Sequence, residues 1–183
     1  MFVKSKQKAM YGRTNAPPVY NSAINPPTLI ECNNTRFLIV DAPSTNNLPL
    51  YIKEFERWQV TDVVRCCDAT YPKEPLEEKG IEIHDWVFSD GASPPSSVVD
   101  GWLQLIEKRF HGVDHPTSCI AIHCVAGLGR APILVAISLV EQGMSALDAV
   151  AYIRERRRGA INNKQLKFIE SYKPRSKKQC IIS

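Results

Sequence analysis

The fold class predicted by the sequence is α/β: one central sheet with helices packed against it. Three observations predict it. Short β-branched runs alternate with helical patterns over the first two thirds of the chain, and helical patterns alone follow. The 183 residues suffice for one core with tails, too few for two. A composition of 44% hydrophobic and 23% charged residues is that of an ordinary globular chain, which excludes collagen-like, coiled-coil and wholly disordered architectures.

Residues 1–26 hold Lys4, Lys6, Lys8 and Arg13 without an acid, together with Pro17-Pro18, and read as a flexible leader. Strands are predicted at Thr28–Ile30, Arg36–Val40, Val60–Val64, Ile81–Ile83 and Ser118–Ile122, each a short apolar run rich in β-branched residues. Leu48–Trp58 sets Leu50, Ile52, Phe55 and Trp58 near one helical face. Ser96–Phe110 sets Val98, Val99, Trp102, Leu105 and Ile106 at helical spacing after Pro94-Pro95. Ala131–Glu141 is almost wholly apolar, which predicts a buried helix stopped by Gly143. Ser145 is positioned to cap a helix running to Arg158, and Asn162 one running to Tyr172. The domain is therefore expected over 27–172, with a basic tail over 173–183.

Charge is unevenly distributed. The leader is wholly basic, residues 152–183 carry ten Lys/Arg against Glu155 and Glu170, and the segment between is acidic. Basic ends on an acidic middle fit tails drawn to an anionic surface better than a nucleic-acid-reading face, so no nucleic-acid partner is expected. No apolar stretch is long enough for a transmembrane helix, no signal peptide opens the chain, and position 2 is Phe, which excludes myristoylation. The expected location is the cytosolic side, where the six cysteines stay reduced. They form no CxxC and show no ligand spacing with the four histidines, so neither a metal nor another cofactor is expected.

The chemistry concentrates in Ser118-Cys-Ile-Ala-Ile-His-Cys-Val-Ala-Gly-Leu-Gly-Arg130. A buried strand ends at His123-Cys124, a Gly-containing loop follows, and Arg130 opens a helix. Such a loop turns backbone N–H groups inward at the positive end of a helix dipole. Val125, Ala126, Gly127, Leu128 and Gly129 would form a phosphate cradle, closed by the planar fork of Arg130. Free cysteine is only a few per cent thiolate at pH 7, and this environment would favour the ionised, nucleophilic form of Cys124, able to form a phosphocysteine. His123 is expected to hold the loop by hydrogen bonds. Rhodanese-like and dual-specificity domains carry similar loops, so the motif indicates chemistry more than substrate. A leaving oxygen needs a proton. On spacing alone Asp90, at the turn of Ser89-Asp-Gly-Ala-Ser-Pro, is either that acid or a turn residue. Asp85, beside Trp86 on the strand, reads as a structural partner.

Together these stretches resemble the phosphatases of regenerating liver, prenylated members of the protein tyrosine phosphatase superfamily. The resemblance runs from about Arg36 to Lys173. It rests on Val64-Arg65-x-Cys67-x-Ala69-Thr70-Tyr71, Asp85-Trp86-x-Phe88-x-Asp90-Gly91-Ala92, His123 to Pro132, Arg157-Arg158-Gly159-Ala160 and Lys164-Gln165-Leu166. It implies a dual-specificity-like tyrosine phosphatase fold with a mostly parallel sheet, Cys124 as nucleophile, Arg130 as phosphate binder and Asp90 as general acid. It also implies slow turnover. Most relatives place Ser or Thr after the cradle Arg, where this chain has Ala131, so no hydroxyl assists departure of the thiolate. Gln165 matches a position that orients water in related enzymes; the other reading is an exposed helix residue. Cys67 matches a cysteine that can form a disulfide with the nucleophile, the alternative being a buried strand cysteine. The family's Trp-Pro-Phe-Asp-Asp-Gly loop reads Trp86-Val-Phe-Ser-Asp-Gly here, which alters its stiffness and charge.

The chain ends Cys180-Ile-Ile-Ser, a prenylation box whose Ser favours farnesyl on Cys180. Lys173, Arg175, Lys177 and Lys178 supply the second signal that one lipid needs for stable anchoring. The expected location is thus the cytoplasmic face of plasma or endosomal membranes, or the cytoplasm without the lipid. The leading function is dephosphorylation of phosphoproteins at tyrosine, with other phosphoesters open. An alternative is a low-turnover binding protein, since the resemblance implies docking of CBS-domain magnesium-transport mediators, and another is a redox sensor built on Cys67 and Cys124. The resemblance further implies homotrimers at membranes.

Overall fold

The computed structural model describes residues 24–111 and 118–175. Strands β1 (Thr28–Cys32), β2 (Thr35–Val40), β3 (Val60–Arg65), β4 (Glu82–Asp85) and β5 (Cys119–His123) form one sheet in the order β1-β2-β5-β3-β4. β1 and β2 make an antiparallel hairpin turned at Asn33, one of the few residue types that tolerates its φ of 49°. The other pairings, β2 with β5, β5 with β3 and β3 with β4, are all parallel. The sheet is mostly parallel, as expected.

Parallel sheets are covered on both faces, and the two-residue period of the strands arranges this here. Phe37, Ile39, Ile120 and Ile122 point to the side of α3 (Ser96–Ile106), α4 (Arg130–Glu141), α5 (Ala146–Arg156) and α6 (Asn163–Ser171). Leu38, Val40, Cys119 and Ala121 point to the side of α1 (Leu48–Arg57), onto Leu48, Tyr51 and Phe55. α4 is buried from Arg130 through Val140, which is why it has no polar face. Trp102 anchors α3 to it, donating from Nε1 to Leu134 O at 2.7 Å.

Three departures from the sequence expectation have physical reasons. A one-turn helix, α2 (Glu74–Glu77), is too short to show periodicity. The helix expected to reach Phe110 is α-helical only to Ile106 and continues as a π-helical turn over Glu107–His111. The fourth strand begins one residue later than expected and runs to Asp85. The end of the leader is docked: Ile24 is buried on the α1 side, and Asn25 Nδ2 donates to Asp41 Oδ2 at 2.8 Å. The rest of the leader, and the end of the tail with Cys180, lie outside the described residues. Among those described, no helix is long and apolar enough to cross a membrane.

Candidate active site

The central strand β5 delivers His123 and Cys124 to the carboxyl edge of the sheet, where open α/β folds place their ligands. From there to the start of α4 every backbone carbonyl is tied to the surrounding scaffold. His123 Nδ1 lies 3.2 Å from Cys124 O, and Ala42 N donates to Val125 O at 2.9 Å. Arg157 takes two carbonyls, Ala126 O from Nη2 at 3.0 Å and Gly127 O from Nε at 2.6 Å. Ile161 N donates to Leu128 O at 2.7 Å, and Ile133 N to Gly129 O at 3.1 Å. In a planar trans peptide the C=O and the following N–H point oppositely. Drawing the carbonyls outward therefore turns the loop N–H groups toward the concave side, above the N-terminus of α4. That makes a nest for an oxyanion.

Gly127 permits this geometry. Its φ is +64°, and a Cβ there would stand 2.4 Å from Val40 O and 2.5 Å from Arg157 Nη2. The loop lies against β2 too closely for any side chain.

Cys124 is buried at the base of this nest. His123 beside it is fully buried, and burial pushes its imidazole down to about 4, so it is neutral at physiological pH. Its single N–H then belongs on Nδ1, facing the Cys124 carbonyl, while Nε2 accepts from Tyr71 OH at 2.8 Å. His123 holds the loop, as its position in the sequence suggested. Cys67 Sγ is 4.0 Å from the same Nδ1. Burial raises the thiols of both Cys67 and Cys66, that of Cys66 well above the ordinary range, and Cys124 lies near enough to raise each further.

Arg130 is 7% exposed, and its Nη1 donates to Cys66 O and Phe88 O, both at 3.2 Å. Asp90 Oδ1 stands 3.2 Å from Arg130 Nε without the alignment of a hydrogen bond, so that nitrogen is buried with no hydrogen-bond partner. The two carboxylates of the neighbouring segment thus part company. Asp90 reaches over the nest with its carboxylate mostly exposed. Asp85 turns away to a two-point bond with buried Arg65, at 2.5 and 2.9 Å, and to Lys73 Nζ at 2.6 Å. Arg65 foremost, with Lys73, holds the Asp85 carboxyl down at about 2 against the opposing effect of burial. A group so firmly ionised cannot serve as a proton donor at neutral pH.

This pair carries a pH signature. In the unfolded chain an aspartate titrates near 3.9, so the unfolded state takes up the Asp85 proton first as the medium is acidified. Stability contributed by Asp85 is complete above about pH 4 and is lost as pH falls from about 4 toward about 2. Denaturant unfolding at pH 7, 4 and 3 is expected to show wild type losing more stability across this range than Asp85→Asn. Parallel curves would remove the pair from the account.

Gln165 is completely buried, which corrects the exposed-helix reading. It closes a capping box: its N donates to Asn162 Oδ1 at 2.8 Å, and its Oε1 accepts from Asn162 N at 3.1 Å. The spacing Asn162-x-x-Gln165 is a legible capping signature. The supporting roles of Arg157, Arg65, Tyr71 and Ile161 had no local signal, because each acts on a segment far away in the chain. Among the described residues Asp62, Glu82 and His84 converge closely enough to suggest a metal site. Arg109 already occupies it, donating to Asp62 Oδ1 at 3.0 Å and pairing with Glu82 at 2.9 Å, and Lys108 pairs with Glu82 at 3.2 Å, so both carboxylates have cationic partners within the protein.

Residues 49–172 match the family model described as protein-tyrosine phosphatase. A probable protein tyrosine phosphatase type IVA A of Dictyostelium discoideum is 52% identical over 86% of this chain and 94% of its own. Protein tyrosine phosphatase type IVA 3 of Bos taurus is 49% identical over 82% of this chain and 86% of its own. A solved putative protein tyrosine phosphatase from Leishmania major superposes with a TM-score of 0.73 at 48% identity, covering 80% of this chain and 98% of that one.

Proposed function

Because the chain belongs to the protein-tyrosine phosphatase family and resembles its type IVA members, it is a phosphatase, and we propose that it works through a phosphocysteine on Cys124. The observation that carries this reading is the outward tethering of the loop carbonyls around Cys124, which leaves N–H groups and the Arg130 fork to hold three phosphoryl oxygens. The Cys124 sulfur attacks phosphorus as its thiolate, a P–S bond forms, and the P–O bond to the substrate breaks. The protonated carboxyl of Asp90 gives its proton to the departing oxygen. Water then attacks the phosphorus and yields a proton to Asp90. The P–S bond breaks, returning the thiolate and releasing inorganic phosphate.

Ala131 is fully buried in the first turn of α4, where a serine hydroxyl would assist the leaving sulfur. Hydrolysis of the phosphoenzyme is therefore the slow step. Rapid mixing with 4-nitrophenyl phosphate is expected to give a burst of nitrophenol matching the enzyme concentration, with phosphate on the peptide containing Cys124. Ala131→Ser is expected to raise the steady-state rate by about tenfold, corresponding to about 1.4 kcal/mol off the barrier, and to diminish the burst. No burst and no phosphorylated peptide would overturn the covalent mechanism.

The proposal extends to control and location. Cys67 is the candidate to trap an oxidised Cys124 as a disulfide, by attack of its thiol on the sulfenic acid with loss of water. Its sulfur lies 4.0 Å from His123 Nδ1, and burial raises its thiol less than that of Cys66, which supports it over Cys66. Cys180 is the candidate farnesyl acceptor, with Lys173, Lys177 and Lys178 facing an anionic leaflet. Arg175 contributes less, since its guanidinium pairs with Asp100. A second reading, docking of an acidic partner loop such as that of a CBS-domain transport mediator, is favoured by the exposed apolar side chains Val87, Val125 and Leu128 on the acid-bearing and nest loops.

A further inference from the structure

The segment Trp86–Pro95 that carries Asp90 is held at three carbonyls by three side chains. Arg130 Nη1 donates to Phe88 O, Asn162 Nδ2 to Gly91 O and Gln165 Nε2 to Ala92 O, each at 3.2 Å. The last two donors hold the two residues that directly follow Asp90 and come from one place, the capping box that starts α6. The same corner touches the nest. Gln165 Nε2 lies 3.3 Å from where a Cβ on Gly129 would be, and Ile161 N bonds Leu128 O.

The corner is strained. Ile161 has φ +62°, a conformation that a β-branched residue adopts only when its surroundings dictate it. Here they do. Its side chain is 2% exposed, its N–H is committed to the nest, and its carbonyl accepts from Arg154 Nη2 at 2.6 Å. Without that turn at 161, α6 would not aim the Asn162 and Gln165 amides at the acid-bearing loop.

We infer that Asn162 and Gln165 are positioning residues that register the Asp90 carboxyl against the phosphate nest, with the strained turn at Ile161 setting their direction. The inference rests on the assignment of Asp90 as general acid. It gives Gln165 a task other than orienting water, because its amide oxygen already accepts from Asn162 N and its nitrogen is bound to the loop. The nest and the acid are thereby built as one unit.

Two substitutions isolate the amide donors while sparing the cap. Asn162→Asp keeps the capping oxygen and loses the donor to Gly91 O. Gln165→Glu keeps the acceptor for Asn162 N and loses the donor to Ala92 O. Acid assistance matters most for poor leaving groups, so kcat/KM is compared for phenyl phosphate and 4-nitrophenyl phosphate. This ratio reports steps up to phosphoenzyme formation and is blind to its slow hydrolysis. Each variant is expected to shift the ratio between the two substrates by about tenfold against phenyl phosphate, a part of the roughly 10²–10⁴-fold that a well-placed general acid contributes. In an Asp90→Asn background the same variants are expected to add no further shift. Equal losses on both substrates, or a shift that persists without Asp90, would overturn the inference. Asp90→Asn lacking a selective loss on phenyl phosphate would overturn the assignment of the acid, and the inference with it. That outcome is distinguishable from one in which only Asn162→Asp and Gln165→Glu fail to discriminate.

Discussion

Cys124→Ser is expected to abolish turnover while leaving the fold and the oxyanion site in place. Serine is nearly the size of cysteine, and the loop around position 124 is held by its carbonyls, none of which depends on the sulfur. A hydroxyl lacks the thiol's readiness to ionise, and no neighbouring group can take its proton. The adjacent imidazole is held by Tyr71 and the Cys124 carbonyl, with neither nitrogen free to act as a base. Loss of a catalytic nucleophile costs on the order of 10⁴–10⁶-fold in hydrolases. With 4-nitrophenyl phosphate the variant is expected to fall to background, while vanadate still raises its melting temperature. Residual turnover within tenfold of wild type would show that another group attacks phosphorus. Loss of vanadate stabilisation together with turnover would show that the sulfur itself is part of the oxyanion site.

Gly127→Ala is the second large effect, and it comes from the backbone. The added methyl would meet Val40 O at 2.4 Å and Arg157 Nη2 at 2.5 Å. Arg157 can swing away, but Val40 ends the β2 ladder beside His123 of β5 and cannot. The loop must lift, which breaks the Arg157 bonds to Ala126 O and Gly127 O and releases the N–H groups those bonds aim. The φ of +64° adds its own penalty. A stability loss of about 3 kcal/mol is expected in denaturant unfolding, with turnover reduced by about 10³-fold, as for a displaced oxyanion hole. Gly143→Ala is the control. Its φ is +98°, with nothing within 4 Å of a Cβ, so it is expected to pay the backbone strain alone and to retain full activity. Equal behaviour of the two variants would mean that the close approach to Val40 has no catalytic consequence.

The strands and all but one of the helices were legible because each is written in adjacent residues. The apolar run Phe37–Val40, the helical stripe of Val98, Val99, Trp102 and Leu105, and the Ser145 cap that accepts from Asp148 N are local patterns. The strand-loop-helix at 119–141 was legible on the same ground, with Cys124 and Arg130 at the two ends of its loop. Asp85 and Asp90 show the limit. Place on the strand marked Asp85 as structural, but its partner Arg65 lies twenty residues before it, and the Arg130 that Asp90 faces lies forty residues after, so neither partner could be read locally. Gln165 shows it again: its spacing from Asn162 signals a cap, while its bond to Ala92 O, across the domain, has no counterpart in the adjacent sequence.

What the sequence determined by itself is the order of elements and the chemical inventory of the loop after β5, since hydrophobic period, capping and glycine placement act within a few residues. What only the tertiary structure decided is direction. It turns the loop carbonyls outward, gives Asp85 to Arg65, brings Asp90 beside Arg130, and sets Ile161 at positive φ where α6 begins, with Asn162 and Gln165 bonded to the Asp90 segment. The reason is that a hydrogen bond between remote segments depends on where both lie after the sheet has assembled, and no short stretch of chain contains that information.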